Sequence, residues 1–477
     1  MDATAQAELV RSGEASPSEL VDAAIERVEK LNPELNAVIH DLSEEGREAA
    51  RGALPDGPFK GVPFLLKDIG ATFAGQPFHL GMQVLKDADF RAPMDSFLAQ
   101  RFRDAGLVTI GKTNVPELGI QPTTEPDAYG PTRNPWNTAH SAGGSSGGAA
   151  AAVASGMVPM AHANDGGGSI RIPAAQNGLV GLKPTRQRTS EGPLIGDVQS
   201  GLTCELVVCK SVRDAARILE AVHGPVLGDP YVATPPARAY TEELDADPKG
   251  LRIGFSTNAA VDIDVHPACV AAMEKTVKLL EELGHELVQG SPADAAAAMA
   301  GSIDLEDTFL TRWAAGQAST LSTLSMALGR EIGEGDVEPL TWALAEIGRE
   351  RSAGRYLSDV GIHQGLTRMI AVWYMSGFDL LLTPTTARPP QALGTWDDSG
   401  DDPMDAFHAA VPEGAYTAIF NITGQPAISL PLGEADGLPV GVQLVAAQGR
   451  EDLLIQVAAQ LERAEPWAER VAPTFAG

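Results

Sequence analysis

Two clusters of glycine and serine carry the residues best suited to covalent chemistry. Gly143 to Gly147 reads GGSSG, and Gly166 to Ser169 reads GGGS. Consecutive glycines let neighbouring backbone N–H groups converge on one point, which the oxyanion of acyl transfer requires. A serine at the end of the second loop could attack the carbonyl whose oxygen that loop holds. The clusters predict an acyl-transfer site, although an isolated GGGS is more often a tight turn with a capping serine.

A lysine earlier in the chain could supply the base. Lys67 follows the apolar run from Val62 to Leu66, which predicts a buried strand. Burial disfavours the ammonium form and can yield a neutral amine that accepts a proton. Asp68 would oppose this if the two side chains paired, but adjacent strand residues point to opposite faces. The plainer alternative is a lysine whose head group reaches solvent.

The first cluster also matches the nucleophile elbow G-x-S-x-G. In that alternative Ser145 is the nucleophile of a Ser-His-Asp esterase with the α/β-hydrolase fold. The histidines available to it later in the chain are His223, His266, His285, His363 and His408. None of them stands in a recognisable local motif. A flexible Gly/Ser linker is a further alternative, which the alanine-rich sequence that follows disfavours.

The elements that must position these residues alternate between helix and strand. Strands are predicted at Gly61–Lys67, Leu107–Gly111, Leu202–Cys209, Leu251–Phe255, Glu286–Gln289, Phe378–Thr385, Gln425–Pro431 and Pro439–Val445. Helices are predicted at Ser16–Leu31, Asp95–Ala105, Val212–Val222, His266–Leu283 and Glu451–Ala464. Residues 294–376 lack strand alternation and predict a helical excursion. The fold class is therefore α/β, with residues 1–477 as one large domain whose mixed β-sheet core is covered by helices.

Composition excludes several classes of partner. The net charge of −28 and the pI near 4.6 disfavour nucleic acid and anionic membranes, because an acidic surface repels phosphates. No export signal is visible, and no apolar run is long enough to span a membrane. The three cysteines form neither a disulfide framework nor a metal-binding spacing. A cytoplasmic protein without a bound metal is expected.

Taken together, these pieces resemble the amidase signature family. The shared motifs are Gly61–Asp68, Gly143–Gly148, Asp165–Pro173 and Gly181–Thr185, which occur in the family's order. The interval between the serines, 169 − 145 = 24 residues, is also that of the family. Flanking segments such as Asn421–Pro426 are similar as well, so the resemblance spans most of the chain.

The resemblance implies a Ser-cisSer-Lys triad and a cofactor-independent amidase with the amidase signature fold. Ser169 would attack the amide carbonyl, Ser145, preceded by a cis peptide bond, would relay the proton, and Lys67 would be the final base. Backbone N–H groups of Gly166, Gly167, Gly168 and Ser169 would form the oxyanion hole.

Three further residues would support the site by the same resemblance. They are Ser146, Asp165 and Arg171, the last two of which would hold the second loop in shape. The expected partner is a small-molecule amide, with an apolar wall around it. A homodimer is one alternative for the oligomeric state.

Departures from the family's commonest pattern bear on substrate choice. Asn164 stands where serine or threonine is frequent, Gly166 where threonine is, and Gln176-Asn177 where Phe-Cys is. Ile172 occupies a position where the glutaminase subunit of the tRNA-dependent amidotransferase usually has glutamine, which disfavours that alternative. Asn164 to Ser169 looks most like the branch that opens the cyclic amide of nylon by-products.

Overall fold

A mixed β-sheet is the centre of the molecule. The computed structural model describes residues 1–292 and 304–476. Its strands are β1 (Val38–Asp41), β2 (Pro63–Lys67), β3 (Val108–Thr113), β4 (Arg133–Asn134), β5 (Asn137–Ser141), β6 (Met160–Asp165), β7 (Val180–Lys183), β8 (Cys204–Cys209), β9 (Arg252–Phe255), β10 (Glu286–Gln289), β11 (Leu380–Pro384), β12 (Ala427–Ala435) and β13 (Leu438–Ala446). In these described residues, eleven strands join in the order β1-β3-β2-β6-β8-β7-β12-β13-β11-β9-β10, while β4 and β5 pair with each other.

The sheet combines both strand directions. β2 runs parallel to β3 and β6, and β9 runs parallel to β10 and β11. The strands between them, from β6 through β8, β7, β12 and β13 to β11, pair antiparallel. The predicted α/β class with a mixed sheet is confirmed. The pairing of β2 with β6 matters for chemistry, because it brings the end of β2 beside the loop that follows β6.

Helices flank this sheet. They are α1 (Ala3–Ser12), α2 (Pro17–Leu35), α3 (Ser43–Arg51), α4 (Gln83–Asp87), α5 (Phe97–Asp104), α6 (Gly147–Ala154), α7 (Arg171–Asn177), α8 (Val212–Val222), α9 (Pro267–Glu282), α10 (Leu305–Leu328), α11 (Pro339–Glu350), α12 (Ala353–Met375), α13 (Met404–Ala409), α14 (Val411–Gly414), α15 (Ala418–Thr423) and α16 (Glu451–Ala464). The predicted bounds of α8 and α16 are correct to the residue. The helix predicted at Ser16–Leu31 is α2, which begins with a capping box at Ser16 but continues through Pro33. Pro33 lies in its last turn, and the helix ends two residues later at Leu35.

The alanine-rich run after the first serine cluster is a helix buried in the core. Every residue of α6 is buried, and the chain then enters β6, which is also buried throughout. Small residues are required here, because a Cβ on Gly148 would lie 2.6 Å from the backbone of Asn114. In the part of the chain that the structure describes, no helix is long and apolar enough to cross a membrane.

The predicted helical excursion begins outside the described residues. From Leu305 onward α10, α11 and α12 follow one another until Met375, and β11 then returns the chain to the sheet. α10 and α12 contribute Trp313 and Leu366 to a second group of buried side chains, separate from the main core. The single-domain assignment and the bounds of the excursion stay predictions.

We expect Ala151→Leu to destabilise the protein, because the side chain at this position is fully buried in α6. Overpacking of this kind costs about 1 to 3 kcal/mol. Calorimetry should show a lower melting temperature, whereas the same change at exposed Ala327 in α10 should leave it nearly unchanged. Equal melting temperatures for the two variants would contradict the tight packing around α6.

Candidate active site

Lys67 ends β2 with its side chain fully buried. Its Nζ lies 2.7 Å from Ser145 Oγ, 2.9 Å from Ser146 Oγ and 2.6 Å from Asn164 Oδ1. The serines come from the start of α6 and the asparagine from β6. One amine thereby joins a strand end, a helix start and the neighbouring strand.

The buried amine of Lys67 is poised to change its charge near neutral pH. Burial lowers the pKa of Lys67 to about 7, although the carboxylates of Glu205 and Asp165 act in the opposite direction. Asp68 does not pair with it; that carboxylate lies 2.7 Å from Lys112 Nζ. The sequence-based expectation that Asp68 points away from Lys67 is correct. A sizeable fraction of Lys67 is therefore neutral at pH 7.

The serine cluster approaches the lysine through a tight turn. The peptide bond between Gly144 and Ser145 is cis. A Cβ on Gly144 would lie 2.2 Å from the carbonyl oxygen of Thr123, so only glycine fits here. On the other side Gly119 packs against Ser145, where an added Cβ would lie 3.3 Å from Oγ.

The second loop joins β6 to α7 and is held by a buried ion pair. Arg171 Nε and Nη2 donate to the two carboxylate oxygens of Asp165 at 2.9 and 2.8 Å, and both side chains are fully buried. Burial alone would raise the pKa of Asp165, but the Arg171 guanidinium lowers it to about 2. The same carboxylate accepts the backbone N–H of Ile170 at 3.2 Å. Asp165 thereby fixes both ends of the glycine loop.

Residues from the last third of the chain complete this support. Asn421 Nδ2 donates to the backbone oxygen of Asp165 at 2.7 Å, and Thr417 Oγ1 donates to that of Gly167 at 2.6 Å. Gly168 has φ of 143°, and a Cβ there would lie 2.4 Å from Thr417 Oγ1. Glycine is therefore needed for its conformation and for its contact with α15 and the residue before it.

The loop leaves its backbone donors free. Within residues 1–292 and 304–476, the N–H groups of Gly166, Gly167, Gly168 and Ser169 donate to no protein acceptor, and the hydroxyl of Ser169 has no hydrogen-bond partner. Free backbone N–H groups of a glycine loop are able to hold an oxyanion where they converge on one point.

Ser169 and Gly119 both border a cavity that encloses about 970 Å³, including its open mouth. Its larger apolar side chains are Ile120, Pro122, Ile172, Val261, Leu305, Phe309, Trp313, Leu366, Phe407, Val411, Ile419 and Ile422. Trp313 and Phe309 stack on each other with ring centroids 5.3 Å apart and pack against Gly166 and Gly167. The cavity presents an apolar surface to any group bound beside Ser169.

The histidines of the nucleophile-elbow alternative lie elsewhere. His266 caps α9, His285 contacts Gln460, His363 contacts Arg312 and Thr308, and His408 contacts Glu306. His223 lies 3.9 Å from Glu220. In the described residues, Lys67 is the single hydrogen-bond partner of the Ser145 side chain. Within residues 1–292 and 304–476, the hydrogen bonds show no Ser-His-Asp arrangement around Ser145.

Comparison with known proteins identifies the family. The family model described as Amidase matches residues 19–455. The chain belongs to the amidase signature family. This amidase is 42% identical over 478 residues to the 6-aminohexanoate-cyclic-dimer hydrolase of Pseudomonas sp. (strain NK87), covering 98% of this chain and 96% of that relative. It is 34% identical to the acylamidase of Rhodococcus erythropolis, covering 98% and 96% of the two chains.

Solved structures agree with this membership. The structure of 6-aminohexanoate cyclic dimer hydrolase superposes with a TM-score of 0.94 at 40% identity, covering 99% of both chains. A bacterial aryl acylamidase of the amidase signature family gives 0.88 at 29% identity, covering 98% of this chain and 97% of that one. The resemblance and the fold class predicted from sequence are confirmed, and the reaction of this amidase is hydrolysis of an amide C–N bond.

Some site residues were not predicted from the sequence. Asn164 was noted only as a departure beside the loop, yet it binds Lys67 directly. His162 Nδ1 accepts the backbone N–H of Lys67 at 3.2 Å, and its other ring nitrogen lies 3.3 Å from Glu205. Asn421 was signalled by its motif but without a role. Thr417 had no sequence signal, and the apolar cavity wall was expected without its residues being placed.

We expect Arg171→Met to destabilise this amidase strongly, because it leaves the buried Asp165 carboxylate without its cationic partner. Removal of one member of a buried pair costs about 3 to 5 kcal/mol. Urea denaturation followed by tryptophan fluorescence should show a much lower midpoint. The double variant Asp165→Asn, Arg171→Met should recover part of that loss, since neither charge of this pair then remains buried. A single variant as stable as the wild type would contradict the role of the ion pair.

Proposed function

We propose that this amidase cleaves its substrate through an acyl-enzyme on Ser169. Ser169 Oγ attacks the amide carbonyl carbon while its proton passes to Ser145 Oγ, and the proton of Ser145 passes to Lys67 Nζ. The negative charge on the carbonyl oxygen is held by the N–H groups of Gly166 to Ser169. The relay then returns a proton to the nitrogen as the C–N bond breaks, and the amine leaves. Water repeats the sequence on the acyl-enzyme.

The observation that carries this proposal is the buried amine of Lys67 beside two serine hydroxyls. Its Nζ lies 2.7 Å from Ser145 Oγ, and burial lowers the pKa of Lys67 to about 7. A general base is most effective when its pKa lies near the working pH. Every proton transfer in this scheme uses side chains, backbone or water, so no cofactor is needed for it.

We propose neutral amides with alkyl or aryl groups as the substrate class. The apolar cavity wall favours groups without charge, because charged groups lose hydration there. The relatives named for 6-aminohexanoate cyclic dimer support cyclic amides as substrates, and we include linear amides in the proposed class. The amidotransferase alternative is weaker, because Ile172 presents an apolar side chain to the cavity.

A single charge in the cavity wall bears on the same choice. Among the described residues that line the cavity, Glu306 is the one with a charged side chain, and it lies 2.8 Å from His408. A carboxylate in the substrate would be repelled by Glu306 if it approached this part of the wall. We propose that the enzyme discriminates against amides that carry a carboxylate.

We also propose a location in the cytoplasm for this amidase. Cys204, Cys209 and Cys269 are free and buried, which agrees with a reducing compartment such as the cytoplasm. A homodimer is proposed only as an alternative to the monomer, and gel filtration with light scattering distinguishes the two.

We expect Ser169→Ala to lower kcat by at least about a thousandfold, because the nucleophile is lost. Lys67→Ala should have a comparable effect, whereas Ser155→Ala, a buried serine at the end of α6, should retain activity. Mass spectrometry of a rapidly quenched reaction should find the acyl adduct on the peptide that contains Ser169. Undiminished turnover in Ser169→Ala, or an adduct on Ser145, would contradict the proposal.

We expect Glu306→Gln to relax the discrimination against carboxylates. Three anilides with acyl chains of equal length that end in a methyl, an ammonium or a carboxylate group would be compared by kcat/KM. The ratio between the methyl-ended and the carboxylate-ended substrate should fall by about fivefold, in keeping with a partly exposed charge. Glu334→Gln removes an exposed charge outside the cavity and should leave the ratio unchanged. An unchanged ratio in Glu306→Gln would exclude this role.

A further inference from the structure

Asn164 occupies a position that the reaction scheme above does not use. We propose that Asn164 is a positioning residue: with Ser146 it accepts both N–H bonds of neutral Lys67 and leaves the amine lone pair directed at Ser145. This inference rests on the proposed role of Lys67 as the base. It assigns to an asparagine in β6 the task of setting the direction of proton transfer.

The first step is a count of donors and acceptors around the amine. Three oxygens lie within 2.9 Å of Lys67 Nζ, on Ser145, Ser146 and Asn164. A neutral primary amine has two N–H bonds and one lone pair. Two of the three oxygens must therefore accept a hydrogen bond from Lys67, and the third must donate one to it.

Asn164 cannot be the donor, because the atom that faces Lys67 is its carbonyl oxygen. The other end of the amide donates from Nδ2 to the backbone oxygen of Ile69 at 3.5 Å. A reversed amide would place its N–H donors against the amine and its oxygen against that backbone oxygen, which leaves an acceptor facing an acceptor. The observed orientation is the one that satisfies both neighbours.

Ser146 is also an acceptor toward Lys67. Its hydroxyl proton is directed at the backbone oxygen of Asn164, 3.3 Å away. The lone pairs of Ser146 Oγ remain for the amine at 2.9 Å. Asn164 thus acts twice, once through its side chain and once through its backbone oxygen.

Ser145 is the remaining donor. In the described part of the chain its hydroxyl has no hydrogen-bond partner other than Lys67. Its proton therefore points at the lone pair of Nζ, and its own lone pairs are free to accept a proton from Ser169. The O–H bond of Ser145 breaks as a third N–H bond forms on Lys67, while Ser145 Oγ receives the proton of Ser169.

The same three oxygens satisfy the charged form. An ammonium has three N–H bonds, and all three oxygens can then accept. Lys67 need not rotate or find a new partner when it takes up the proton. The arrangement serves both protonation states, which keeps the cost of reorganisation low.

The charged groups around Lys67 come from the neighbouring strands. Asp165 in β6 and Glu205 in β8 both stabilise the ammonium form through their negative charge. His162 in β6 accepts the Lys67 backbone N–H through Nδ1, so its ring proton lies on Nε2, toward Glu205. Asp68, at the end of β2, is bound to Lys112 and His40. A further carboxylate at position 164 would be the one in direct contact with the amine.

Asn164→Asp tests this arrangement with almost no change in shape. Its carboxylate would lie beside Nζ and stabilise the ammonium form, which cannot accept a proton. In the wild type, kcat/KM for a neutral anilide should rise as pH increases through about 7, because the base is then neutral. In Asn164→Asp this rise should shift upward by about 1 to 3 pH units, as expected for an opposite charge in contact.

Asn164→Ala removes the acceptor without adding charge. Its kcat should fall by about tenfold or more with KM retained, since the amine loses its orientation, and its pH profile should not shift upward. Gln121→Glu makes the same amide-to-acid change on the cavity wall and controls for the effect of a new carboxylate near the site. It should shift the pH profile less than Asn164→Asp does. Calorimetric melting establishes that each variant is folded. If Asn164→Asp does not fold, the kcat and KM of Asn164→Ala decide.

The outcomes separate this inference from the proposed mechanism. An unshifted pH profile in Asn164→Asp, or a wild-type kcat in Asn164→Ala, would overturn the role of Asn164. If Lys67→Ala is inactive in the same experiments, the role of Lys67 as the base is retained. An active Lys67→Ala would instead overturn the mechanism itself.

Discussion

Burial of one amine is the constraint on which the site depends. A fully buried lysine loses its hydration, and the loss is offset only where polar atoms surround it. Here the partners of Lys67 arrive from the start of α6 and from β6, so both elements must meet the end of β2 within hydrogen-bond distance. The parallel pairing of β2 with β6 provides that meeting. The same burial that costs stability lowers the pKa of Lys67 to about 7 and so leaves part of the amine neutral near that pH.

Arg171 is a second buried cationic side chain, and its partners differ from those of Lys67. Arg171 pairs with Asp165 on both carboxylate oxygens, and its Nη1 donates to Gln443 Oε1 at 2.7 Å. Lys67 has no carboxylate among its hydrogen-bond partners in the described residues. The glycine loop thus has two buried neighbours. The ion pair of Asp165 with Arg171 holds the shape of the loop, and the amine of Lys67 has a pKa of about 7. The difference lies in the partners, since both side chains are equally buried.

Sequence reasoning succeeded where a pattern is local. Capping and periodicity gave α8 and α16 their correct bounds, and the catalytic motifs located both loops. It missed β6, because this strand is built largely from alanine, histidine and asparagine, is buried on both faces and lacks alternation. It missed the contact between Asn164 and Lys67, which are 97 residues apart. It also did not place the residues of the cavity wall, which come from α10, α14 and α15 in separate parts of the chain. Such contacts follow from strand order and helix packing, which single-chain periodicity does not encode.

The distribution of residues separates chemistry from substrate choice. Lys67, Ser145 and the ion pair of Asp165 with Arg171 lie on or beside the buried strands of the sheet, where their partners are packed and movement of a side chain would cost hydrogen bonds. The cavity wall comes mainly from helices outside the main core, through side chains such as Phe309 and Phe407 that make apolar contacts without directional bonds. A change at a wall side chain that does not touch the glycine loop, such as Phe407, can reshape the cavity at little cost to the amine or the loop. One rigid centre can therefore serve different amides, with the acyl and amine groups selected by a surface that tolerates substitution.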